Sequence, residues 1–169
     1  SVVNSALRAS WAMISGQAPN PSTQTNCTTY SDFVQSGTGE WGQALGDGCV
    51  YPAGVLTIGD QLTAAGLTWK AYGEDMAASP TAPATCRRPE IGTQDTSQRA
   101  RVGDDYAARH MPFVYFHSII DSPTCADHVV DLAELEADLA ATATTPHLSF
   151  IVPDLCSDAH DATCADGSE

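Results

Sequence analysis

The sequence predicts an α/β fold, with short, continuously apolar strands alternating with helices and long loops held by disulfides. Three observations carry this expectation. Helix-like and strand-like segments alternate along the chain. The strand-like segments are mostly apolar throughout, as strands covered on both faces are. Six cysteines, Cys27, Cys49, Cys86, Cys125, Cys156 and Cys164, fall in the irregular stretches between them. With 169 residues, 43% apolar and 17% charged, the chain can bury one real core and lacks the composition of a disordered segment. Residues 1–169 read as a single partial domain, cut at both ends. The chain opens on Ser1-Val2-Val3 and stops on Asp166-Gly167-Ser168-Glu169, with no element to finish on.

The elements follow from local pattern. Leu7, Trp11 and Ile14 give a short helix over 7–15, ended by Gly16. Residues 17–53 are rich in Pro, Gly, Ser, Thr and Asn and read as one long loop that needs a staple. Thr57 is placed to cap a helix with Ile58, Leu62 and Ala65 on its apolar face, and Gly66 stops it. A strand over 67–72 follows, with alternating aromatics Trp69 and Tyr72 directed to the core. Residues 74–103, with Pro80, Pro83 and Pro89, form a second irregular stretch. Met111 to Ile120 (MPFVYFHSII) is the most hydrophobic run and reads as a buried strand. Asp131 to Ala141 reads as an amphipathic helix presenting Leu132, Leu135 and Leu139, and His147 to Val152 as a last strand ended by Pro153.

The even number of cysteines and the absence of CxxC spacing favour disulfides over a redox pair or a zinc ribbon. Pairing neighbours gives Cys27–Cys49, Cys86–Cys125 and Cys156–Cys164, each stabilising by about 2–4 kcal/mol through restriction of the unfolded chain. Free buried cysteines in a cytosolic protein are the competing reading. Disulfides place the protein in an oxidising compartment, so it is expected to be secreted. No signal peptide is visible, and no apolar run is long enough to span a bilayer.

The charge excludes several partners. Seven basic residues face 21 acidic ones, a net charge of −14, and Lys70 is the only lysine. Such a surface repels nucleic acid and anionic lipid at long range. It also repels phosphate esters, so a site for them needs local cations.

The best constellation for chemistry follows the last strand: Pro153-Asp154-Leu155-Cys156-Ser157-Asp158-Ala159-His160-Asp161. Ligands of open α/β sheets bind at the carboxyl ends of strands, where this loop falls. Asp154, Asp158 and His160 offer hard oxygen and borderline nitrogen donors to a divalent metal ion of unspecified identity. A solvated acidic loop is the bland alternative. Calcium held by Asp154, Asp158, Asp161 and Asp166 is a rival, although EF-hand spacing is absent. His110 and His117 read as hydrogen-bonded structural residues, His128 as a loop-surface residue, and Glu74-Asp75 as a solvated strand end. No GxSxG, P-loop or GxGxxG is present.

Several segments together carry a family resemblance: WAMISGQAPNPSTQ (11–24), TIGDQLTAAGLTWKAYGEDM (57–76), YAARHMPFVYFHSI (106–119), CADHVVDLAELEADL (125–139) and SFIVPDLCSDAHDATCADG (149–167). They resemble the bacterial phosphoesterase family, which holds secreted acid phosphatases and phospholipase C-type enzymes in the alkaline-phosphatase-like superfamily. The resemblance implies a partial three-layer α/β/α sandwich and metal-dependent hydrolysis of a small-molecule phosphate ester or phospholipid headgroup. It also implies a serine or threonine nucleophile opening a helix, and carries Asp158 and His160, with Asp154, over as metal ligands. The chain departs from the family in places. Ala6 stands where the nucleophile belongs and Ala9 where a phosphate-binding Asn belongs, with Ser5 one residue away. Met111 replaces an Asn and Asp131 a Pro. The expectation is therefore a phosphoesterase impaired in this copy. The alternative is a secreted, non-catalytic binding or structural module that keeps the fold.

Overall fold

The computed structural model describes residues 6–159 and Cys164. Its first helix, α1 (Ala6–Ser15), buries Trp11 and Ile14 and ends where the Gly16 amide bonds the Ala12 carbonyl at 2.9 Å. Gly16 takes φ +69°, the left-handed value that suits glycine beyond a helix end. Residues 17–53 are more ordered than a loop. Asn20 caps the turn α2 (Pro21–Gln24) through a reciprocal capping box with Thr23. β1 (Thr29–Tyr30) then leads into a hairpin of β2 (Val34–Thr38) and β3 (Ala44–Asp47). The order here comes from side-chain caps and a Cys27–Cys49 bridge, which leave no hydrophobic period to read.

Thr57 and Asp60 form the capping box of α3 (Ile58–Ala64), with the Asp60 carboxylate accepting the Thr57 amide at 2.7 Å. β4 (Trp69–Gly73) begins two residues later than the aromatic pattern suggests. In the irregular stretch that follows, β5 (Thr93–Gln94) pairs antiparallel with β1.

The run from Met111 to Ile120 is buried as expected but is not a strand. It forms a 3-10 turn, Pro112–Tyr115, and a short helix, α4 (His117–Ile120). A continuous apolar run has the same signature in a buried strand and a buried helix. Pro112 fits the first position of a helical turn, where its missing N–H is not required. The backbone still borrows strand-like bonds at one point: Tyr51 N donates to Tyr115 O at 2.8 Å, and His117 N to Tyr51 O at 2.9 Å. Tyr30 Oη donates to the Val114 carbonyl.

Next come α5 (Cys125–His128) and β6 (Val129–Asp131). The expected helix over 131–141 is shorter: a 3-10 turn over Leu132–Glu134 passes into α6 (Leu135–Leu139), and Leu139 is exposed. Polar contacts tether this segment to the sheet. Lys70 Nζ lies 2.7 Å from Asp138 and 3.2 Å from Glu134, and Tyr72 Oη donates to Asp138 at 2.8 Å.

β7 (Leu148–Val152) completes a three-stranded parallel sheet in the order β6-β4-β7, aligned Ala71↔Val129 and Gly73↔Val152. One side is packed by aromatic rings: Trp11 against Tyr51 and Tyr115, Phe33 and Phe116 on Tyr51, and Phe113 on Trp69. The other side buries Tyr72, while Ile151 on edge strand β7 is 52% exposed. The α/β class, with its parallel sheet, is as the sequence predicts. The three disulfides pair Cys27–Cys49, Cys86–Cys125 and Cys156–Cys164, the neighbour pairing expected.

His128 is not on a loop surface. Its ring lies flat on Trp69, 4.4 Å between centroids and 6° from parallel, and Nδ1 is 2.9 Å from the Trp69 carbonyl. The Cys86–Cys125 bridge and the pairing of β6 draw it onto the sheet. His117 is structural, as expected, and bridges two segments: Nε2 is 2.9 Å from Asp32 and Nδ1 2.9 Å from Asp121.

Two measurements test these contacts. Burial pushes the His117 pKa down, but the hydrogen bonds and charges of Asp32 and Asp121 outweigh it and raise it above the ordinary 6.5. A raised folded value means stabilisation that is complete below 6.5 and lost as pH rises through the folded pKa. Melting curves from about pH 6 to about pH 8 should therefore fall more steeply for the parent than for His117→Gln. Gly59 faces the Trp69 indole, and a Cβ there would lie 2.6 Å from the ring. Gly59→Ala should lower the melting temperature. The overpacking costs about 1–3 kcal/mol, against roughly 1 kcal/mol gained in helix propensity. Trp69, stacked by Phe113 and His128, has little room to retreat.

Candidate active site

The site grows from the carboxyl ends of two neighbouring parallel strands. β4 runs out into Glu74-Asp75 and β7 into Pro153-Asp154, and their pairing sets these ends side by side. The Glu74 amide donates to Val152 O at 3.1 Å, and the Asp154 amide donates to Glu74 Oε2 at 3.1 Å. Glu74 is thus no solvated strand end: its carboxylate holds the first turn of the candidate loop. A side chain at Gly73 would crowd its neighbours. A Cβ would lie 2.9 Å from the Met76 methyl and 3.2 Å from the Tyr106 ring.

Asp154 is buried and spends one oxygen on its own loop. Oδ1 accepts the Cys156 amide at 2.8 Å and the Ser157 amide at 2.7 Å, an Asx-type turn. The Leu155 amide bonds the Asp105 carbonyl at 3.0 Å, and the Cys156–Cys164 bridge closes the loop beyond. Asp158 points back into the protein, where its carboxylate lies 3.5 Å from His110 Nε2. His110 Nδ1 sits 3.0 Å from the Pro153 carbonyl. A carbonyl only accepts, so Nδ1 carries the proton and Nε2 is the atom turned to Asp158. His110 is therefore hydrogen-bonded, as its sequence context suggests, and it orders the loop through the Pro153 carbonyl. Asp158 is drawn to Nε2 only when that nitrogen also carries a proton. Helix α1 packs against the 3-10 turn Ala108–His110 that carries His110.

Carboxylates crowd this end. Asp75 takes φ +60°, an uncommon backbone for a residue with a side chain. Burial raises its pKa above the ordinary carboxylate value, and the charges of Asp154, Asp105 and Glu74 add to the effect against an opposing backbone hydrogen bond. Arg87 is a buried cation beside this run, donating to the Asp75 carbonyl at 3.4 Å. It is tied to Asp104 at 2.6 Å, donates to the Met76 carbonyl at 3.2 Å and lies over the Tyr106 ring at 4.8 Å.

Of the residues singled out in the sequence, Asp154 and Asp158 share this loop, on the His110 side of the sheet end. Ser5 and His160 lie outside the described residues, as do Asp161 and Asp166 of the calcium reading. Ala6 is the first residue of α1. Among the described residues, no three His, Cys, Asp or Glu side chains converge in an arrangement that could hold a metal ion. His110 and Glu74 are the contributors that pattern reading undervalued. The signal for Glu74 was positional, since it directly follows β4. His110 lies in a 3-10 turn before a run that is not a strand, and no local pattern marked it.

The profile of the phosphoesterase family matches residues 4–169. The chain belongs to the phosphoesterase family. An acid phosphatase of Aspergillus fumigatus is 28% identical over 120 residues, which cover 70% of this chain and 24% of that protein. The matching part thus spans about a quarter of its relative's length. No solved structure matches the chain significantly. In this phosphoesterase-family chain, the parallel sheet delivers the run after β4, the loop after β7 and Asp131 at the end of β6 to one edge. No helix among the described residues is long and apolar enough to cross a membrane.

The crowding of carboxylates has a measurable consequence. With a raised folded pKa, ionised Asp75 costs stability at neutral pH, and the cost disappears as pH falls through that pKa. In metal-free buffer, Asp75→Asn should melt higher than the parent at neutral pH, and the gap should narrow under acid. A gap that stays constant with pH would assign the gain to the left-handed backbone, which Asn tolerates well, and not to charge.

Proposed function

We propose that this chain forms part of a phosphate ester hydrolase whose site lies at the carboxyl ends of β4 and β7. The observation that carries this reading is the closed loop 153–158, oriented by Glu74 and His110 at the strand ends of a phosphoesterase-family sheet. The acid phosphatase relative supports the same reaction class. The substrate is a small-molecule phosphate ester, with a phospholipid headgroup as the variant at a lipid surface.

A divalent metal ion belongs to the proposal, with Asp158 and His160 as ligands and Asp154 behind them. The described donors do not complete such a set. Asp154 Oδ1 is committed to two amides and Asp158 is held toward His110, so further ligands have to come from residues outside those described. A bound ion would polarise a phosphoryl oxygen and offset the local negative charge. The chain's own part is positional. Glu74 and the Asp154 turn set the loop, and His110 anchors it by donating from Nδ1 to the Pro153 carbonyl. Three disulfides and the acidic surface suit an extracellular protein.

Ala6 at the head of α1 favours a second reading alongside the first, a family member with weak or no turnover. An intact site that loses its nucleophile loses several orders of magnitude in rate. Hydrolysis of a chromogenic phosphate ester, with zinc, manganese or calcium added, separates the readings. We expect little turnover from the parent and a rise of at least about 100-fold for Ala6→Ser. Robust parent turnover that disappears in Ser5→Ala would assign the nucleophile to Ser5 instead. No turnover from either protein, with no divalent ion bound, would leave a non-catalytic module.

A further inference from the structure

A pocket of about 240 Å³ opens beside Trp69, where β4 begins, and so at the opposite end of the sheet from the Asp154 loop. Its lining includes Asp60, Ser118, Ser122, Thr124 and His128. It is smaller than the roughly 300–1,000 Å³ typical of drug-sized ligands and has room for about one ring.

The hydrogen-bond inventory of this pocket is unbalanced. His128 Nδ1 donates to the Trp69 carbonyl at 2.9 Å, so in the neutral ring Nε2 is an acceptor, and it has no partner among the described residues. Asp60 Oδ2 accepts from the Thr57 amide, Thr57 Oγ1 and Ser118 Oγ at 2.7, 2.8 and 2.9 Å, which leaves Oδ1 unclaimed among the described residues. Ser122 Oγ and Thr124 Oγ1 lie 2.8 Å apart and share one hydrogen bond, so one of their two hydroxyl hydrogens stays free. The pocket thus offers two free acceptors and one free donor. Beside them lies an imidazole backed by the Trp69 indole, with 4.4 Å between ring centroids.

We propose that this pocket binds a single neutral sugar ring. A pyranose brings several hydroxyl donors to the two acceptors, a hydroxyl acceptor to the Ser122–Thr124 donor, and a C–H face to a flat ring. No lysine or arginine lines the pocket, and the chain carries a net charge of −14, so an anionic ligand finds no counter-charge there. The proposal does not depend on phosphate ester hydrolysis, because the two sites sit at opposite ends of β4.

Methyl α-glycosides of glucose, mannose and galactose, titrated into the full chain and followed by amide and imidazole NMR shifts, test it. At least one glycoside should saturate with a dissociation constant of about 1–10 mM. The largest shifts should fall at His128, Ser122 and Thr124. His128→Ala should weaken binding at least about 10-fold, and the rim pair Ser122→Ala with Thr124→Val about 3-fold. The rim pair keeps the test decisive if His128→Ala does not fold. Three outcomes would overturn the proposal: no saturable shift at these residues, unchanged affinity in the rim pair, or displacement of the glycoside by inorganic phosphate.

Discussion

The parallel register of β4 with β7 is the constraint on which the rest of the structure depends. Gly73 opposite Val152 makes both strands end at the same level, so Glu74 and Asp154 emerge as neighbours. A hydrogen bond from the Asp154 amide to the Glu74 carboxylate then ties one strand's exit to the other's. A slip of one residue would reverse which side chains face the aromatic layer. The register is therefore held by the same burial that builds the core, with Trp69 and Ala71 turned into it.

An acidic chain with seven cations has to place them where they count. Lys70 reaches across to Asp138 and Glu134, binding the short segment 132–139 that contributes no fully buried apolar residue. Asp138 is held below the ordinary carboxylate range chiefly by the Lys70 hydrogen bond. Arg87, buried on Tyr106, serves Asp104 and two carbonyls beside the strand end. Elsewhere like charges stay crowded, as around Asp75. Such local conflict is usual at functional sites, where stability is given up for chemistry.

The disulfides carry the irregular half of the molecule. Cys27–Cys49 ties off the capped turn and hairpin of the N-terminal segment, and Cys86–Cys125 fastens a long irregular stretch to α5. The spans they close, 22 and 39 residues, are long enough for cross-linking to restrict the unfolded chain strongly. The second bridge also fixes the approach of His128 to Trp69. One staple thus shapes the core and the pocket beside it.

What the sequence determined by itself were features written in local pattern. These include the Thr57 capping box, the stop at Gly16, β4 and β7 in outline, the neighbouring disulfide pairs, and the Asp154–Asp158 loop beyond a strand. The caps, stops and strands rest on residues close in the chain, whose spacing records its own physics. The disulfides, two of which close spans of 22 and 39 residues, follow only from pairing cysteines in order. Tertiary structure decided the rest. The run from Met111 to Ile120 is apolar on every side, so its hydrophobicity recorded burial without recording conformation, and Pro112 with its surroundings turned it helical. The paired contacts of His117, His128 and His110 join residues 85, 59 and 43 positions apart. No local period encodes a partner at that distance. Only the packing of the parallel sheet brings such groups together, and with them the candidate site.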